Sequence, residues 1–305
     1  MKKGIIKLSS LFILLVMTFM LSSFTVAAAE PVQKETGARS VSKAYLSVSG
    51  VKTRSLGAYS VLNVYINNKN TSFSGRIING VAYLPIRKTA EALTSATVLY
   101  NSAQKSVTVS GYGHNISVSD GAYVLYASDR PIFSMTPSVI LSDNVMYVPA
   151  ESIAKALGVK MSYIGNSLYL SGSASPLRAA SSYYREDEVY WLARIINAES
   201  RGEPLLGQIA VGNVVLNRVS SSLYPNTIWG VIFDKKYGVQ FSPILDGSIY
   251  AEPTYTSILA AKICLEGFSL SSDALFFLYP TASTSSWIPR TREYAFSVGK
   301  HDFYI

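Results

Sequence analysis

Histidine and cysteine are scarce in this sequence, and their scarcity excludes several kinds of active site. The 305 residues include two histidines, His114 and His301, and one cysteine, Cys264. A catalytic zinc site draws several ligands from His, Asp or Cys, and a serine or cysteine nucleophile needs a histidine beside it. Cys264 and His301 are a conceivable pair, but neither lies in a recognisable nucleophile motif. Chemistry that depends on carboxylates is therefore favoured, and Cys264, which allows no internal disulfide, is predicted to be a small buried side chain.

Charged residues are also few, at 15% of the chain, whereas hydrophobic residues make up 49%. This composition is typical of packed cores and not of a disordered chain, and the length suggests about two domains. The charge is unevenly placed: residues 30–182 hold 14 basic and 7 acidic residues, while residues 183–305 hold 10 basic and 12 acidic residues. The first half is therefore expected to attract a polyanion.

The first 29 residues have the pattern of a signal peptide. Lysines up to Lys7 precede an apolar run, Leu11 to Leu21, that is short for a membrane span of about 20 residues. Three alanines ending at Ala29 supply the small-residue cleavage pattern, so we expect export and cleavage after Ala29. An uncleaved membrane anchor is the alternative. Export makes nucleic acid a poor candidate for the polyanionic partner.

An internal repeat follows residues 30–62, which read as a linker with one strand near Tyr45–Val51. Residues 79–93 match residues 143–157 at an offset of 64. In each copy a turn opens a short strand, and Pro85 or Pro149 ends that strand and starts a helix. A repeat of this size is a supersecondary unit that buries its apolar face against its twin.

Alternating strands are predicted at Ser106–Gly111 and Ser167–Gly172, closing the two copies. The motifs Tyr83-Leu-Pro-Ile-Arg87 and Tyr147-Val-Pro-Ala-Glu151, each followed by an Ala-Leu helix, resemble the copper amine oxidase N-terminal-like stalk domain of secreted proteins. Arg87 fits the usual pattern, and Glu151 departs from it. The resemblance implies an accessory α+β stalk domain at residues 63–172 that positions or tethers a partner domain. No histidine cluster accompanies it, so no copper chemistry is expected.

Residues 173–183, which are rich in Ala and Ser, read as a flexible linker, and a second domain is predicted at residues 184–305. The spacing predicts that this domain opens with a helix over Glu186–Glu203. Its first turn is acidic, as the helix dipole favours, and Leu192 and Ile196 lie on one apolar stripe. Glu199 extends that stripe. A carboxylate there is partly desolvated, which raises its pKa and keeps it protonated near neutral pH.

Glu199 has two interpretations from spacing alone. A protonated carboxylate of this kind is what glycoside cleavage uses to protonate the leaving oxygen. The alternative is a structural carboxylate at a helix end, paired with Arg194 or Arg201. Asn197 lies on a neighbouring face of the helix and is a candidate for orienting sugar hydroxyl groups.

Several motifs follow one another in the second domain. They include Asn197-Ala-Glu-Ser-Arg-Gly-Glu203, Gly207-Gln-Ile-Ala-Val211, Asn217-Arg-Val219, and Gln240-Phe-Ser-Pro243. Together they resemble the SleB/CwlJ family of cell-wall hydrolases, known from spore cortex-lytic enzymes, over residues 188–304. Ser200 replaces a common alanine, a small departure that removes no candidate catalytic group.

The family resemblance implies a mostly α, lysozyme-like catalytic domain in which Glu199 is the catalytic residue, and hence an α+β chain overall. It also implies a lytic transglycosylase that cuts the glycan strands of peptidoglycan without a cofactor or metal. Glu203 and Asp246 are candidates for a supporting acid. Five further residues are expected to bind substrate beside Asn197. These are Gln240, Phe241, Ser242 and the aromatic residues Tyr279 and Trp287.

Three functions remain open at this point: a transglycosylase, a hydrolytic muramidase or glucosaminidase that uses a second acid, and a non-catalytic wall-binding protein. The expected partners are peptidoglycan and, through the basic stalk domain, the anionic polymers of the wall. The expected location is outside the cell, in the wall or the spore cortex. His301 is predicted to be a structural hydrogen-bonding residue.

Overall fold

A computed structural model describes residues 59–140, 144–236, 238–281 and 287–305 of the chain. The signal peptide and the strand predicted near Tyr45–Val51 lie outside the described residues. Within these residues, no helix combines the length and the apolar character needed to cross a bilayer. The first strand begins at Ser60, so the linker predicted to extend to residue 62 ends earlier than expected.

The stalk domain has two β-sheets around one apolar core, to which Leu84 and Val109 both belong. A seven-stranded sheet has the order β11-β12-β1-β2-β3-β10-β9, and a five-stranded sheet has the order β4-β5-β6-β7-β8. The strands are β1 (Ser60–Ile66), β2 (Lys69–Ile78), β3 (Val81–Pro85), β4 (Thr97–Asn101), β5 (Ser106–Gly111), β6 (His114–Ser119), β7 (Val124–Ala127), β8 (Arg130–Phe133), β9 (Val139–Ile140), β10 (Met146–Pro149), β11 (Lys160–Ile164) and β12 (Ser167–Ser171).

The predicted repeat is present in the stalk domain. Helices α1 (Ile86–Leu93) and α2 (Ala150–Ala156) begin directly after Pro85 and Pro149, where a missing backbone N–H costs no intrahelical bond. The twin strands β3 and β10 pair with each other in antiparallel fashion. The two copies therefore bury their apolar faces in a shared core, as the repeat pattern predicts.

The segment between the domains, residues 173–183, is packed and not free, which corrects the prediction of a flexible linker. Ser175 N donates to Leu157 O at 2.9 Å, and Ala180 N donates to Ser128 O at 3.0 Å. Helix α3 (Ala180–Tyr183) forms its end. Small residues are common in flexible linkers, but they also allow close packing: a Cβ at Gly158 would overlap Ser175. Composition alone does not distinguish the two cases.

The C-terminal domain has a helical core and a small antiparallel sheet with the order β13-β15-β14. Its elements are α4 (Glu186–Ser200), α5 (Leu205–Ser220), α6 (Ile228–Ile232), α7 (Pro243–Asp246), a 3₁₀ turn (Ser248–Tyr250), α8 (Tyr255–Leu265), β13 (Phe276–Leu278), α9 (Trp287–Thr291), β14 (Tyr294–Val298) and β15 (His301–Tyr304). The α+β class of the chain is confirmed. The sheet was not predicted, and it packs on α5 through Phe303, Val211 and Val214.

Close packing of α4, α5 and α8 sets the position of the end of α4. A Cβ at Gly212 in α5 would lie 2.7 Å from Cys264 Sγ and 2.8 Å from Ile196 Cδ1, so only glycine fits there. Cys264 is buried, and burial raises the pKa of its thiol. It is therefore a small core side chain, as predicted, and not a thiolate nucleophile.

A buried ionic cluster joins the two domains at Glu266, the residue that follows α8. Its carboxylate accepts hydrogen bonds from Arg130 Nε at 2.7 Å and Nη2 at 2.9 Å and from Tyr184 Oη at 2.5 Å. Lys155 Nζ lies 3.1 Å away. Burial alone would raise the pKa of Glu266, but these donors outweigh burial and hold the pKa below its usual range.

Candidate active site

Glu199 lies in the last turn of α4, where the helix leaves the apolar core. Leu192 and Ile196 are fully buried, and Glu199, which continues their stripe, is half-buried. In the described part of the chain, its carboxylate has no hydrogen-bond or ion-pair partner. Arg194 instead pairs with Glu252 at 3.0 Å, and Arg201 is exposed. Glu199 therefore does not form the alternative ion pair with Arg194 or Arg201.

The pKa of Glu199 is raised to about 7, first by burial and then by the negative charge of Asp246, while the positive charge of Arg218 opposes the rise. The carboxyl group is consequently still partly protonated at neutral pH. Such a group donates a proton in one step and accepts one in the next without a large free-energy cost. This property follows from position, because the stripe brings Glu199 to the edge of the core.

Arg218, on α5, is the charged residue that sequence reasoning missed. It is 5% exposed, and its Nε donates to Leu275 O at 2.8 Å. Its guanidinium lies 5.1 Å from the ring centroid of Tyr224, 5.2 Å from that of Phe241 and 5.7 Å from that of Phe276. These aromatic faces offset part of the cost of burying the cation.

The Nη1 atom of Arg218 is buried and has no hydrogen-bond partner among the described residues. Burial lowers the pKa of Arg218, but the guanidinium stays charged at neutral pH. A signal for this residue was present in the sequence, because Arg218 continues the buried stripe of Val211 and Val214 by the same spacing argument that identified Glu199.

The two candidate supporting acids have different surroundings. Asp246 ends α7 and is exposed, and its Oδ1 accepts from Ser248 N at 2.8 Å. The hydrogen bonds from Ser248 hold its pKa below the usual range, so Asp246 is ionised. Glu203 Oε2 accepts from Lys300 N at 2.9 Å and packs against Gly299. Glu203 thus fixes the turn between β14 and β15, and its role as a supporting acid stays a prediction.

Two of the predicted substrate-binding residues, Asn197 and Phe241, are largely buried. Asn197 is 2% exposed, and its Oδ1 accepts from Thr254 N at 3.1 Å and from Ser257 Oγ at 3.3 Å. This oxygen therefore fixes the start of α8. Phe241 is also 2% exposed, and its ring supports the guanidinium of Arg218. A substrate-binding role for either residue stays a prediction.

The remaining candidates have side chains that a ligand can reach. Ser242 is exposed at the start of α7, and Gln240 is half-buried, with its Nε2 donating to Gly238 O at 3.1 Å. Trp287 is 53% exposed, and its ring meets the edge of Phe276 at 6.0 Å. Phe276 also lies beside the guanidinium of Arg218. The ring of Phe276 therefore lies between Trp287 and the buried cation.

Two further aromatic residues, one that follows β13 and one in β15, complete this region. Tyr279 is exposed, and its ring centroid lies 5.9 Å from that of His301. His301 is buried, packs 5.6 Å from Phe277 and has no hydrogen bond at Nδ1 among the described residues. It is a packing residue and not the hydrogen-bonding residue expected. In the described ranges, no group of three or more His, Cys, Asp or Glu side chains is arranged to hold a metal ion.

Two protein families match parts of this chain. The family described as Cell Wall Hydrolase matches residues 202–304, a range that begins just beyond Glu199. The family described as Copper amine oxidase N-terminal domain matches residues 65–170. These ranges correspond to the two domains of the structure.

The chain is 40% identical over 120 residues to a spore cortex-lytic enzyme of Bacillus cereus, which is 39% of this chain and 45% of that protein. It therefore spans less than half the length of that relative. It is 31% identical over 111 residues to the cell wall hydrolase CwlJ of Oceanobacillus iheyensis, which is 34% of this chain and 77% of that protein. Among solved structures, the catalytic domain of the germination-specific lytic transglycosylase SleB from Bacillus anthracis is 39% identical, with a TM-score of 0.37, covering 41% of this chain and 98% of that one.

Proposed function

Because this chain belongs to the Cell Wall Hydrolase family, we propose that it cleaves the glycan strands of peptidoglycan with Glu199 as general acid. The observation that supports this role is the half-buried carboxyl group of Glu199, whose pKa is raised to about 7. Glycoside cleavage requires a carboxyl group that is still protonated at the working pH. The lysozyme-like fold implied by the sequence remains part of this proposal.

The reaction that fits one such carboxyl group is a lytic transglycosylation. Glu199 gives its proton to the glycosidic oxygen that follows N-acetylmuramic acid, and the bond between that oxygen and C1 breaks. Glu199, now a carboxylate, takes the proton of the muramyl C6 hydroxyl group. The oxygen of that hydroxyl group bonds to C1 at the same time. The product is a 1,6-anhydro ring, water is not consumed, and Glu199 ends protonated as it began.

Arg218 and Asp246 balance the two states of Glu199 in this cycle. The positive charge of Arg218 favours the carboxylate that forms when the proton leaves, and the negative charge of Asp246 favours the protonated form. Opposing charges of this kind keep the pKa near the working pH, where proton transfer in both directions is fastest.

A hydrolytic muramidase or glucosaminidase is the second candidate, and the ionised Asp246 favours it. In that mechanism Asp246 activates water or attacks C1, at about 5 to 9.5 Å from Glu199. Digestion of purified peptidoglycan in water labelled with heavy oxygen separates the two. We expect anhydromuramyl ends without label. Labelled reducing ends would instead identify a hydrolase, and no release of soluble fragments at all would favour a wall-binding protein without catalysis.

We also propose that peptidoglycan of the spore cortex is the first substrate to test, because the relatives named above include spore cortex-lytic enzymes. The basic stalk domain is proposed to bind anionic wall polymers from outside the cell. Binding of the full chain to purified walls should then weaken as the ionic strength rises from about 0.05 M to about 0.5 M. Binding that ignores salt would exclude an electrostatic tether.

A further inference from the structure

A polar cavity of about 430 Å³ lies on the stalk domain, within the range of about 300 to 1,000 Å³ that small-molecule sites occupy. Three parts of the chain form its walls. They are residues 92–95 at the end of α1, Tyr112 and His114 at the β5–β6 hairpin, and Ala174 and Pro176 of the segment between the domains. The packed segment at residues 173–183 therefore forms one wall of this cavity.

The lining disfavours anions although the domain is basic. None of the lining residues carries a charge at neutral pH. Helix α1 ends at Leu93, so the carbonyl groups of Ala92 and Leu93 lack intrahelical donors, and no other backbone N–H within the described residues bonds to them. The end of a helix that exposes carbonyls carries partial negative charge. It repels anions and accepts hydrogen bonds from neutral hydroxyl or amide groups.

His114 adds further hydrogen-bonding capacity to the cavity. The residue lines the cavity and is largely buried, and its Nδ1 is enclosed without a partner among the described residues. The other ring nitrogen, Nε2, is therefore the atom that can meet a ligand. Burial lowers the pKa of His114, so the imidazole is neutral at pH 7. A neutral ring nitrogen is either a donor or an acceptor, and both suit an uncharged polar ligand.

Tyr112 supplies an aromatic surface at the rim of the cavity. Its side chain is 77% exposed, and its φ is +52°, a left-handed conformation that bulky residues rarely adopt. Flanking glycines at positions 111 and 113, with φ of +115° and +80°, allow the hairpin to present the ring. Gly111 pairs with His114, so Tyr112 and Gly113 form a two-residue turn that requires positive φ at both positions, and this turn holds the ring out at the rim.

We propose that this cavity is a binding site for a neutral saccharide, with Tyr112 stacked on the sugar face. The carbonyl groups at the end of α1 and the imidazole of His114 then bond its hydroxyl and amide groups. A sugar has one apolar face and a rim of hydroxyl groups, which matches an exposed tyrosine beside uncharged acceptors. This site is separate from the electrostatic tether and does not depend on the role of Glu199.

The two histidines provide the experiment, because His114 lies in the stalk domain and His301 in the C-terminal domain. Imidazole NMR signals of the full chain carrying Glu199→Gln are followed while the linear trimer of N-acetylglucosamine is added. We expect a saturable shift of the His114 signals that is unchanged when the ionic strength rises from about 0.05 M to about 0.5 M. The His301 signals report separately on binding in the C-terminal domain.

Tyr112→Asn is the diagnostic variant, since asparagine accepts the left-handed conformation and removes the ring. We expect it to weaken binding at His114 by at least about tenfold. The matched control is Tyr100→Asn, which removes another exposed tyrosine of the same sheet that does not line the cavity, and it should bind as the parent does. The proposal is overturned by a Tyr112→Asn variant that binds normally. It is equally overturned if only the His301 signals respond, or if polyphosphate shifts His114 and the sugar does not.

Discussion

Two sets of glutamate and arginine in this chain have opposite arrangements. Glu266 at the domain interface is joined to Arg130 by two hydrogen bonds, and its pKa is held below the usual range. Glu199 feels the charge of Arg218 without being bonded to it, because Arg218 Nε is bonded to Leu275 O, and its pKa is raised to about 7. A paired carboxylate holds two domains together. An unpaired one keeps a proton that it can transfer.

The largest effect is expected from removing the transferable proton. Glu199→Gln preserves the shape of the side chain, and we expect activity on peptidoglycan to fall by at least about 100-fold, since general acids contribute about 10² to 10⁴. Dye release from labelled peptidoglycan measures the activity, and circular dichroism checks that the variant is folded. Glu186→Gln, in the exposed first turn of the same helix, is the control. Near-normal activity of Glu199→Gln contradicts the assignment.

Removing the charge of Glu266, which is paired with Arg130, should lower the stability of the protein and leave its catalytic activity unchanged. Glu266→Gln leaves Arg130 buried without its counter-charge, so we expect a loss of about 3 kcal/mol in the free energy of unfolding. Urea denaturation measures it, and activity per folded molecule should be unchanged. Glu91→Gln is the matched control because Glu91 pairs with Arg87 at 3.6 Å and both side chains are about half exposed, and such pairs contribute about 0 to 1 kcal/mol. Equal losses of unfolding free energy in the two variants would show that the buried pair is no more important for stability than the exposed one.

Acid should weaken the same interface. The pKa of Glu266 is lowered in the folded protein, so its contribution to stability is complete above the ordinary carboxyl pKa of about 4.5 and is lost as the pH falls through the folded value. The difference in stability between the parent and Glu266→Gln should therefore shrink as the pH is lowered below about 4.5. A constant difference across this range would show that the charge of Glu266 is not responsible.

A smaller effect is expected from Arg218→Met, which removes the charge that lowers the pKa of Glu199. The pKa of Glu199 should rise, and because the general acid must be protonated, the alkaline limb of the pH–activity profile should move to higher pH. Arg218→Lys, which retains a cation, should leave the limb nearer its original place. An alkaline limb that stays in place in Arg218→Met would show that the two groups do not interact.

The smallest effect is expected from Asp246→Asn, and its sign is opposite. Asp246 raises the pKa of Glu199, so its loss should move the alkaline limb to lower pH. The shift should be modest because Asp246 is exposed and its charge is screened by salt. Activity at the optimum should change by no more than a few fold. A dead Asp246→Asn enzyme would support the hydrolytic mechanism.

The structural features that depend on neighbouring residues could be predicted from the sequence. The strand, proline and helix of each repeat follow from residues next to one another, and they are confirmed. The half-buried position of Glu199 follows from the period of one helix. Both predictions needed only spacing within about 15 residues, where helical and strand periods are fixed by backbone geometry.

The distant partners of two candidate site residues could not be predicted. Asn197 lies between Ile196 and Ala198 in the sequence, and its oxygen is engaged by Thr254 and Ser257, far along the chain. Glu203 lies one turn from Glu199, yet it bonds the backbone of Lys300. No periodicity reports such pairings, because they depend on how the C-terminal sheet is placed against the helices.

The C-terminal sheet also determines when the site is completed as the chain is made. Leu275 supplies the carbonyl that anchors Arg218, and Leu275 N in turn donates to Tyr304 O at 2.9 Å. Synthesis proceeds from the N-terminus, so Glu199 and Arg218 emerge well before the residues that hold the arginine in place. A chain that stalls before Tyr304 lacks the carbonyl that accepts from Leu275 N, so the segment that anchors Arg218 is not yet fixed by the sheet.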